Sequence, residues 1–167
     1  MRATLAKLTV TFVTTLLALS STATAVSRTS VNLGYDLSYP QCGKTINYKP
    51  SFAVVGVNGG LATSTNPCLA AQLGWAARAS GQTNQTKVQL YVNTANPGGL
   101  STDSWPTNNV DPSGLNTTNP FGNCDGSNSP SCSYQYGWNR AVEDVLNRLP
   151  AAARQAGLST APSSYYW

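Results

Sequence analysis

The chain has 167 residues, with 10 basic and 6 acidic side chains, no histidine and a formal net charge of +4. The lack of histidine excludes the usual Ser/His and Cys/His catalytic pairs, and the basic residues are too scattered along the sequence to predict a nucleic-acid interface. The glycines lack the spacing of a phosphate-binding loop, so we expect no nucleotide and no other cofactor.

The first 25 residues have the pattern of a secretory signal peptide. A basic start precedes an apolar run at residues 8–19 and the small residues Ala-Thr-Ala at 23–25, which form a cleavage site. We predict cleavage after Ala25 and secretion of residues 26–167, with no membrane span left in the mature chain. Its charge would then be 8 − 6 = +2. A retained N-terminal anchor is the alternative.

Four segments predict β-strands. Residues 30–37 alternate loosely between apolar and polar side chains, whereas residues 52–57 and 88–92 are continuous apolar runs, typical of strands covered on both faces. Each of these three leads into a polar loop rich in glycine or asparagine. Residues 163–167 are rich in aromatics and read as the opening of a fourth, buried strand.

Helical spacing appears between these strands. Asn66 as N-cap and Pro67 at the first position predict a helix that ends near Gly81. A second helix is predicted over residues 134–149, ended by Pro150 and followed by a short helical turn at 151–157. Its predicted core-facing residues are Trp138, Ala141, Val142, Val145, Leu146 and Leu149.

The long segment 98–133 is rich in Asn, Ser, Pro, Gly and Thr and contains two of the four cysteines. Aromatics of the kind usually buried, Trp105 and Phe121, favour an ordered excursion over a disordered linker. In an exported chain all four cysteines are expected in disulfides. Of the three possible pairings we favour Cys42–Cys68 and Cys124–Cys132. A zinc site is disfavoured by the lack of histidine and of any Cys-x-x-Cys pair.

The order strand, loop, strand, helix, strand, long loop, helix, strand favours an α/β fold with parallel strands and right-handed crossovers. We predict the N-terminal part of a TIM-type β/α barrel, truncated at its C-terminal side. The mature residues supply about three and a half of eight units, since a closed barrel needs about 250 residues. A complete small open sheet and an assembly of half-barrels are the alternatives.

Five short motifs occur in an order that resembles a known group of proteins. Residues 34–43 read Gly-Tyr-Asp-Leu-Ser-Tyr-Pro-Gln-Cys-Gly, and further matches lie at 55–61, 66–69, 91–98 and 136–139. The first motif resembles the first-strand signature of lysozyme-type muramidases of glycoside hydrolase family 25. The whole set is more similar to secreted, actinobacterial-type glycoside-hydrolase-like barrel domains of uncharacterised function.

The resemblance implies a barrel whose cleft is lined by carboxylates at strand ends, with Asp36 as one of them. It also implies an Asp-x-Glu segment after an aromatic pair on the fourth strand, which would supply the general acid. Tyr166-Trp167 is the last dipeptide of this sequence. We therefore expect hydrolysis only in a complete domain and no activity from this fragment alone.

Glycoside hydrolysis needs two carboxyl groups facing each other across the scissile bond. Asp36, near a strand end, is the best candidate among six acidic residues; capping of the following loop is its alternative role. Glu143 and Asp144 read as a solvated helix surface. The aspartates at 103, 111 and 125 read as turn residues.

We predict that substrate binding involves residues at the strand ends and nearby aromatics. Asn58 and Asn93 follow the second and third strands and could hydrogen-bond sugar hydroxyls, although Asn before Gly is also ordinary turn chemistry. Tyr35, Tyr39 and Trp105 are candidates for stacking on sugar rings.

The predicted function is acid/base hydrolysis of cell-wall glycan of the peptidoglycan type. A non-catalytic glycan-binding or wall-associated domain is the alternative, and a disulfide-stabilised interaction domain without a glycan site is the third. The expected partner is a polysaccharide, not a nucleic acid or a membrane. The sequence indicates no oligomeric state.

Overall fold

A computed structural model describes residues 32–98 and 102–167. These residues form three β-strands and three α-helices, with short 3-10 turns at Tyr39–Gln41 and Pro162–Ser164 and a π-helical turn at Asp144–Arg148. The elements are β1 (Gly34–Leu37), β2 (Phe52–Gly56), α1 (Leu69–Ala76), β3 (Val88–Tyr91), α2 (Pro130–Glu143) and α3 (Leu149–Gln155). The predicted signal peptide lies outside the described residues.

The three strands form one parallel sheet in the order β1-β2-β3. Asp36 of β1 lies opposite Val54 of β2, which in turn lies opposite Gln89 of β3. Gln89 also forms an isolated parallel bridge with Tyr166 near the end of the chain. Strands that follow one another in sequence therefore neighbour one another in space, as the alternating pattern predicts.

One face of the sheet carries the apolar core. α1 and α3 pack against this face, because alternate strand residues point toward them and both helices bury small or aliphatic side chains there. The buried cluster comprises Ala53, Val55, Val57, Leu69, Leu73, Ala76, Val88, Leu90, Leu149, Ala152 and Ala153. We call this the helix face of the sheet and the opposite one the open face.

α1 begins two residues later than predicted, at Leu69 with Cys68 as N-cap, and ends earlier than expected. The Asn66 side chain accepts a hydrogen bond from the Cys68 backbone N–H at 3.0 Å, in the turn that leads into the helix. The regular helix stops at Ala76 rather than near Gly81. The backbone N–H groups of Ser80 and Gly81 instead donate to carbonyls just before β2, Pro50 and Ser51, which turns the chain back toward the sheet.

α2 differs from its prediction in both its start and its buried face. It begins at Pro130, where the Ser129 side chain accepts a hydrogen bond from the Cys132 backbone N–H. Trp138 and Leu146, predicted to face the core, are 44% and 50% exposed. The buried residues of α2 are Ser131, Cys132, Gln135, Tyr136, Asn139 and Arg140. This helix packs its polar side inward, so the apolar periodicity was wrong at Trp138 and Leu146, although the predicted Leu149 is buried in the core.

Residues 102–129 form an ordered excursion, as expected. An antiparallel bridge joins Val110 to Asn116, and the Trp105 ring packs 5.4 Å from the Tyr136 ring of α2. Phe121, however, is 62% exposed rather than buried, because it packs on Tyr134, on the outer side of α2.

Of the predicted fourth strand, only Tyr166 pairs with the sheet, through an isolated parallel bridge to Gln89 of β3. Leu90 of β3 donates a backbone hydrogen bond to the Tyr166 carbonyl at 2.8 Å. The serines at 163 and 164 belong to a 3-10 turn, and Tyr166 is exposed rather than buried. The direction of pairing nevertheless matches that of the other three strands.

Candidate functional site

Asp36 lies in the middle of β1 on the open face of the sheet. Its row in the register contains Val54 and Gln89. Tyr35 and Leu37, which flank it along the strand, belong to the helix face. The Asp36 side chain is exposed, yet partial burial raises its pKa above the ordinary aspartate value.

Two aromatic rings border Asp36 along the open face. A Cβ atom added to Gly34 would lie 2.3 Å from the Phe52 ring, and one added to Gly56 would lie 2.8 Å from the Tyr91 ring. These glycines therefore leave the space that the rings occupy. Because Gly34 and Gly56 lie in the rows on either side of the Asp36 row, the open face has an aromatic ring over each row that neighbours Asp36.

Phe52 and Tyr91 are not among the predicted site residues. The signal exists only in the register, where Gly34 lies opposite Phe52 and Gly56 lies opposite Tyr91. A glycine opposite an aromatic residue on the neighbouring strand lets the ring lie over the glycine. Such a pair can be recognised only when the register of the strands is known.

A buried amide network holds the carboxyl ends of β1 and β2 together. The Asn66 amide donates to the Gly56 carbonyl at 2.9 Å and to Gln72 Oε1 at 2.7 Å. The Gln72 amide in turn donates to the Ser38 carbonyl at 2.7 Å. Both side chains are buried, so each hydrogen bond replaces a contact with water that folding removed. This network fixes the carboxyl end of β1, the strand that contains Asp36.

Asn58 belongs to a second network rather than to an open cleft. Its amide nitrogen donates to the Asn93 carbonyl at 2.8 Å and to Asp144 Oδ2 at 3.1 Å, and its Oδ1 accepts from the Asn93 backbone N–H. The side chain is 3% exposed. Asn58 therefore joins the ends of β2 and β3 to the π-helical turn.

Asp144 and Arg148 complete this second network. The Asp144 side chain is fully buried and lies 2.5 Å from an Arg148 nitrogen. Arg148 also donates to the carbonyls of Ala62 and Thr63 in the loop after β2. The expectation that Asp144 lies on a solvated helix surface is wrong, because α2 turns its polar side toward the strand ends. Glu143 is ion-paired as well, with Arg148 and Arg140.

Asn93 lies beside a cavity of about 350 Å³ between the loops that follow β2 and β3. Its amide donates to the Gly60 carbonyl at 2.6 Å, and its Oδ1 accepts from the Ala95 backbone N–H. Asn96 and Thr102 also line this cavity. Asn58 and Asn93 thus lie next to each other at the carboxyl edge of the sheet. Asn58, however, is buried.

The predicted aromatic residues do not form a single stacking surface. Tyr39 is half-exposed in the turn after β1. Tyr35 lies on the helix face, between Tyr48 and Trp75. Trp105 lies within the long excursion, where its indole N–H donates to the Gly126 carbonyl at 3.1 Å. Of these three residues, Tyr39 alone lies in the loop that follows β1, the strand that contains Asp36.

The four cysteines form the two favoured disulfides. Cys42–Cys68 joins the loop after β1 to the start of α1, and Cys124–Cys132 joins the long excursion to the first turn of α2. Two disulfides indicate an oxidising, extracellular compartment. Among the described residues no helix has the length and apolar character needed to cross a membrane.

Comparison of the chain with protein-family models, curated proteins and solved structures finds no match. In residues 32–98 and 102–167, no three His, Cys, Asp or Glu side chains come together in a way that could hold a metal ion. What the open face offers is one carboxyl group between two aromatic rings.

Proposed function

We propose that this protein is an exported, glycoside-hydrolase-like domain that engages cell-wall glycan on the open face of its sheet, with Asp36 as the carboxyl group that faces the sugar. The observation that carries the proposal is the position of Asp36 between the Phe52 and Tyr91 rings. A carboxylate and flat apolar rings are the groups that a glycosidase cleft presents to sugar hydroxyls and sugar faces.

The strand order supports a β/α barrel as the wider architecture. In a doubly wound sheet the order of strands reverses, so that consecutive strands separate at a switch point. Here β1, β2 and β3 follow one another without reversal, and Tyr166 continues the series beside β3. The open face would then be the barrel interior, and Asp36 would be the first-strand carboxylate.

The proposed chemistry needs a second carboxyl group. Asp36 in its ionised form would stabilise positive charge at the anomeric carbon, while an acid on a neighbouring strand protonates the leaving oxygen. The other carboxyl groups of the described chain lie in other environments. Asp144 and Glu143 are ion-paired, and Asp111 and Asp125 accept hydrogen bonds from turn serines. Asp103 is exposed in the long excursion. We propose that hydrolysis depends on a fourth-strand acid.

A non-catalytic glycan-binding or wall-associated role is the second candidate. The observation that favours it is the single carboxyl group on the described part of the open face. In this role Asp36 would accept hydrogen bonds from sugar hydroxyls, and the two rings would pack against the sugar. Export would follow from removal of residues 1–25 as a signal peptide, in line with the two disulfides.

The test compares Asp36→Asn with the control Asp103→Asn, which removes an exposed carboxyl group elsewhere. In a complete domain that carries the fourth-strand acid, with purified cell walls as substrate, a hydrolase should lose about a hundredfold or more in reducing-end release while keeping most of its binding. A glycan-binding protein should show no release and weaker binding. The mass of the secreted protein reports cleavage after Ala25. If the two variants behave alike in both assays, the proposed site is wrong.

Unfolding at two pH values tests the same carboxyl group independently of any substrate. Since burial raises the folded-state pKa of Asp36, wild-type stability is lost as pH rises from the unfolded toward the folded pKa. Asp36→Asn removes this penalty. Its urea midpoint relative to wild type should therefore be higher at pH 7 than at pH 3, whereas Asp103→Asn should show no such gain.

A further inference from the structure

The connection between β1 and β2 leaves a cavity on the outer side of the molecule. After the 3-10 turn Tyr39–Gln41 this crossover has no regular structure before β2 begins, so no crossover helix fills the space beside α1. A cavity of about 580 Å³ opens there, between the segment 46–50, Trp75 of α1 and Arg78 in the turn after α1. An adjoining cavity of about 360 Å³ shares Trp75 and Arg78 and extends to Lys44.

Three cations meet at these two cavities. Lys49 and Arg78 line the larger one, and Lys44 and Arg78 line the smaller one. No acidic side chain is among the described residues that line either cavity. Basic residues that are scattered in the sequence are thus gathered around one concave surface by the fold.

The charge around the cavities is not balanced nearby in the chain. Residues 32–98 contain four basic side chains and one acidic one, a net charge of 4 − 1 = +3. The single acid is Asp36, which lies on the open face, whereas the cavities lie beside α1 on the helix face. The ion pairs found among the described residues all belong to Glu143 and Asp144. A positive potential in a concave site attracts and concentrates anions.

Aromatic side chains form one wall of the larger cavity. Tyr35 packs against Tyr48 with ring centroids 5.5 Å apart and against Trp75 with centroids 5.6 Å apart. Tyr48 and Trp75 both line the cavity, and Tyr48 is 38% exposed. Exposed rings of this kind can pack against the apolar face of a sugar or polyol while their polar tips stay in water.

We propose that this surface, the Lys49/Arg78 cavity with its Lys44 extension, binds an anionic saccharide unit, meaning a sugar or polyol that carries a phosphate or carboxylate group. Arg78 donates one hydrogen bond to the Gly74 carbonyl, which steadies the guanidinium while its other N–H groups remain available within the described chain. A planar fork of this kind binds phosphate or carboxylate oxygens in pairs. The site is separate from Asp36 and does not rest on the proposed hydrolase function.

The experiment measures binding of four probes to the secreted protein by NMR titration: glycerol 3-phosphate, glucuronate, inorganic phosphate and uncharged glycerol. Lys49→Gln/Arg78→Gln should weaken binding of the charged probes by about tenfold, the order expected for the loss of two exposed ion pairs. The control Lys87→Gln/Arg154→Gln removes the same two charges outside the cavities and should leave binding unchanged. Matching urea midpoints for both variants establish that each is folded.

The probes separate the two chemical sources of the anion. Binding of glycerol 3-phosphate alone identifies a phosphodiester polymer as the partner class, and binding of glucuronate alone identifies a uronic-acid polysaccharide; either result supports the proposal. Tyr48→Ala should weaken both sugar-type probes but not inorganic phosphate. Equal losses in the cavity and control variants, or no binding of any charged probe, would overturn the proposal.

Discussion

Asp144 has an environment that its neighbours in the sequence do not suggest. It follows Glu143 in a charged stretch, yet its side chain is fully buried. Burial raises its pKa, whereas the hydrogen bond and charge of Arg148 and the Asn58 amide act in the opposite direction. The carboxylate is retained because both of its oxygens have partners, and it joins the ends of β2 and β3 to α2. A buried charge with partners is tolerable, and one without them is not.

Asp144→Ala should therefore destabilise the protein strongly. The change leaves the Arg148 guanidinium and the Asn58 amide without their buried acceptor, and we expect a loss of about 3 kcal/mol in the free energy of unfolding. Urea unfolding at pH 7 measures it. The control Asp103→Ala removes an exposed carboxyl group and should change stability by less than about 0.5 kcal/mol.

A double variant separates the attraction within the Asp144–Arg148 pair from the cost of leaving Arg148 with Glu143 as its remaining carboxylate partner. Asp144→Leu/Arg148→Met removes both charges and should cost less than Asp144→Ala alone. If Asp144→Ala is as stable as Asp103→Ala, the network does not support the fold. The raised pKa would then reflect burial without structural consequence.

At the scale of elements, α2 and α3 form one nearly continuous helical segment that passes through Pro150. Proline lacks an N–H group and normally ends a helix, and the prediction that the helix ends at Pro150 is wrong, because α3 contains this residue. The π-helical turn Asp144–Arg148 precedes it, with the Leu149 N–H donating to the Asp144 carbonyl. Pro150 therefore falls in the first turn of α3, where the missing donor costs little. The wider turn also places Asp144 inward and leaves Leu146 outward.

The end of α3 depends on Gly157. This glycine has a φ of 69°, and its N–H donates to the Arg154 carbonyl while that of Leu158 donates to the Ala153 carbonyl. The two bonds are those of a Schellman motif, which requires a left-handed residue. Leu158 packs against the core as a result.

Gly157→Ala should destabilise the protein by about 1 kcal/mol, because alanine pays the cost of a left-handed conformation. Gly74→Ala is the matched control. Gly74 lies inside α1, and a Cβ there meets nothing within 4 Å, so this change should stabilise by about 0.5 to 1 kcal/mol. Thermal unfolding of both variants gives the comparison, and shifts of the same sign would count against the assigned C-cap.

At the scale of the whole molecule, β2 and β3 were predictable because each is a short apolar run followed by a polar loop, and β1 was predictable from a looser alternation. The parallel order of β2 and β3 follows from the helix between them. The buried face of α2 was not predictable, because its partners, such as Asn119 and Thr117, come from a long excursion without periodicity. Polar groups bury well when they find specific partners, and a sequence pattern does not show which partners are near.

The candidate site was predictable only in part, for the same reason. The position of Asp36 on a strand could be read directly from the sequence. The rings of Phe52 and Tyr91 depend on the register, and the cations beside α1 depend on the path of the crossover. The molecule thus presents a carboxyl group on the open face and a cationic cavity on the helix face, two surfaces of opposite chemistry separated by one sheet.

The two disulfides make the stability of the whole molecule depend on its redox environment. Cys124–Cys132 and Cys42–Cys68 span 8 and 26 residues, and loop-closure entropy gives them about 2.5 and 3.5 kcal/mol. Their sum is comparable to the total of about 5 to 15 kcal/mol that holds a small domain folded.

Cys42→Ala/Cys68→Ala should therefore cost about 1 kcal/mol more than Cys124→Ala/Cys132→Ala in urea unfolding. Dithiothreitol should leave the wild-type protein marginally stable or unfolded, as measured by circular dichroism. Dithiothreitol should not affect a variant in which all four cysteines are replaced. A wild-type protein that keeps its urea midpoint after complete reduction would show that the core and the two polar networks hold the fold without the disulfides.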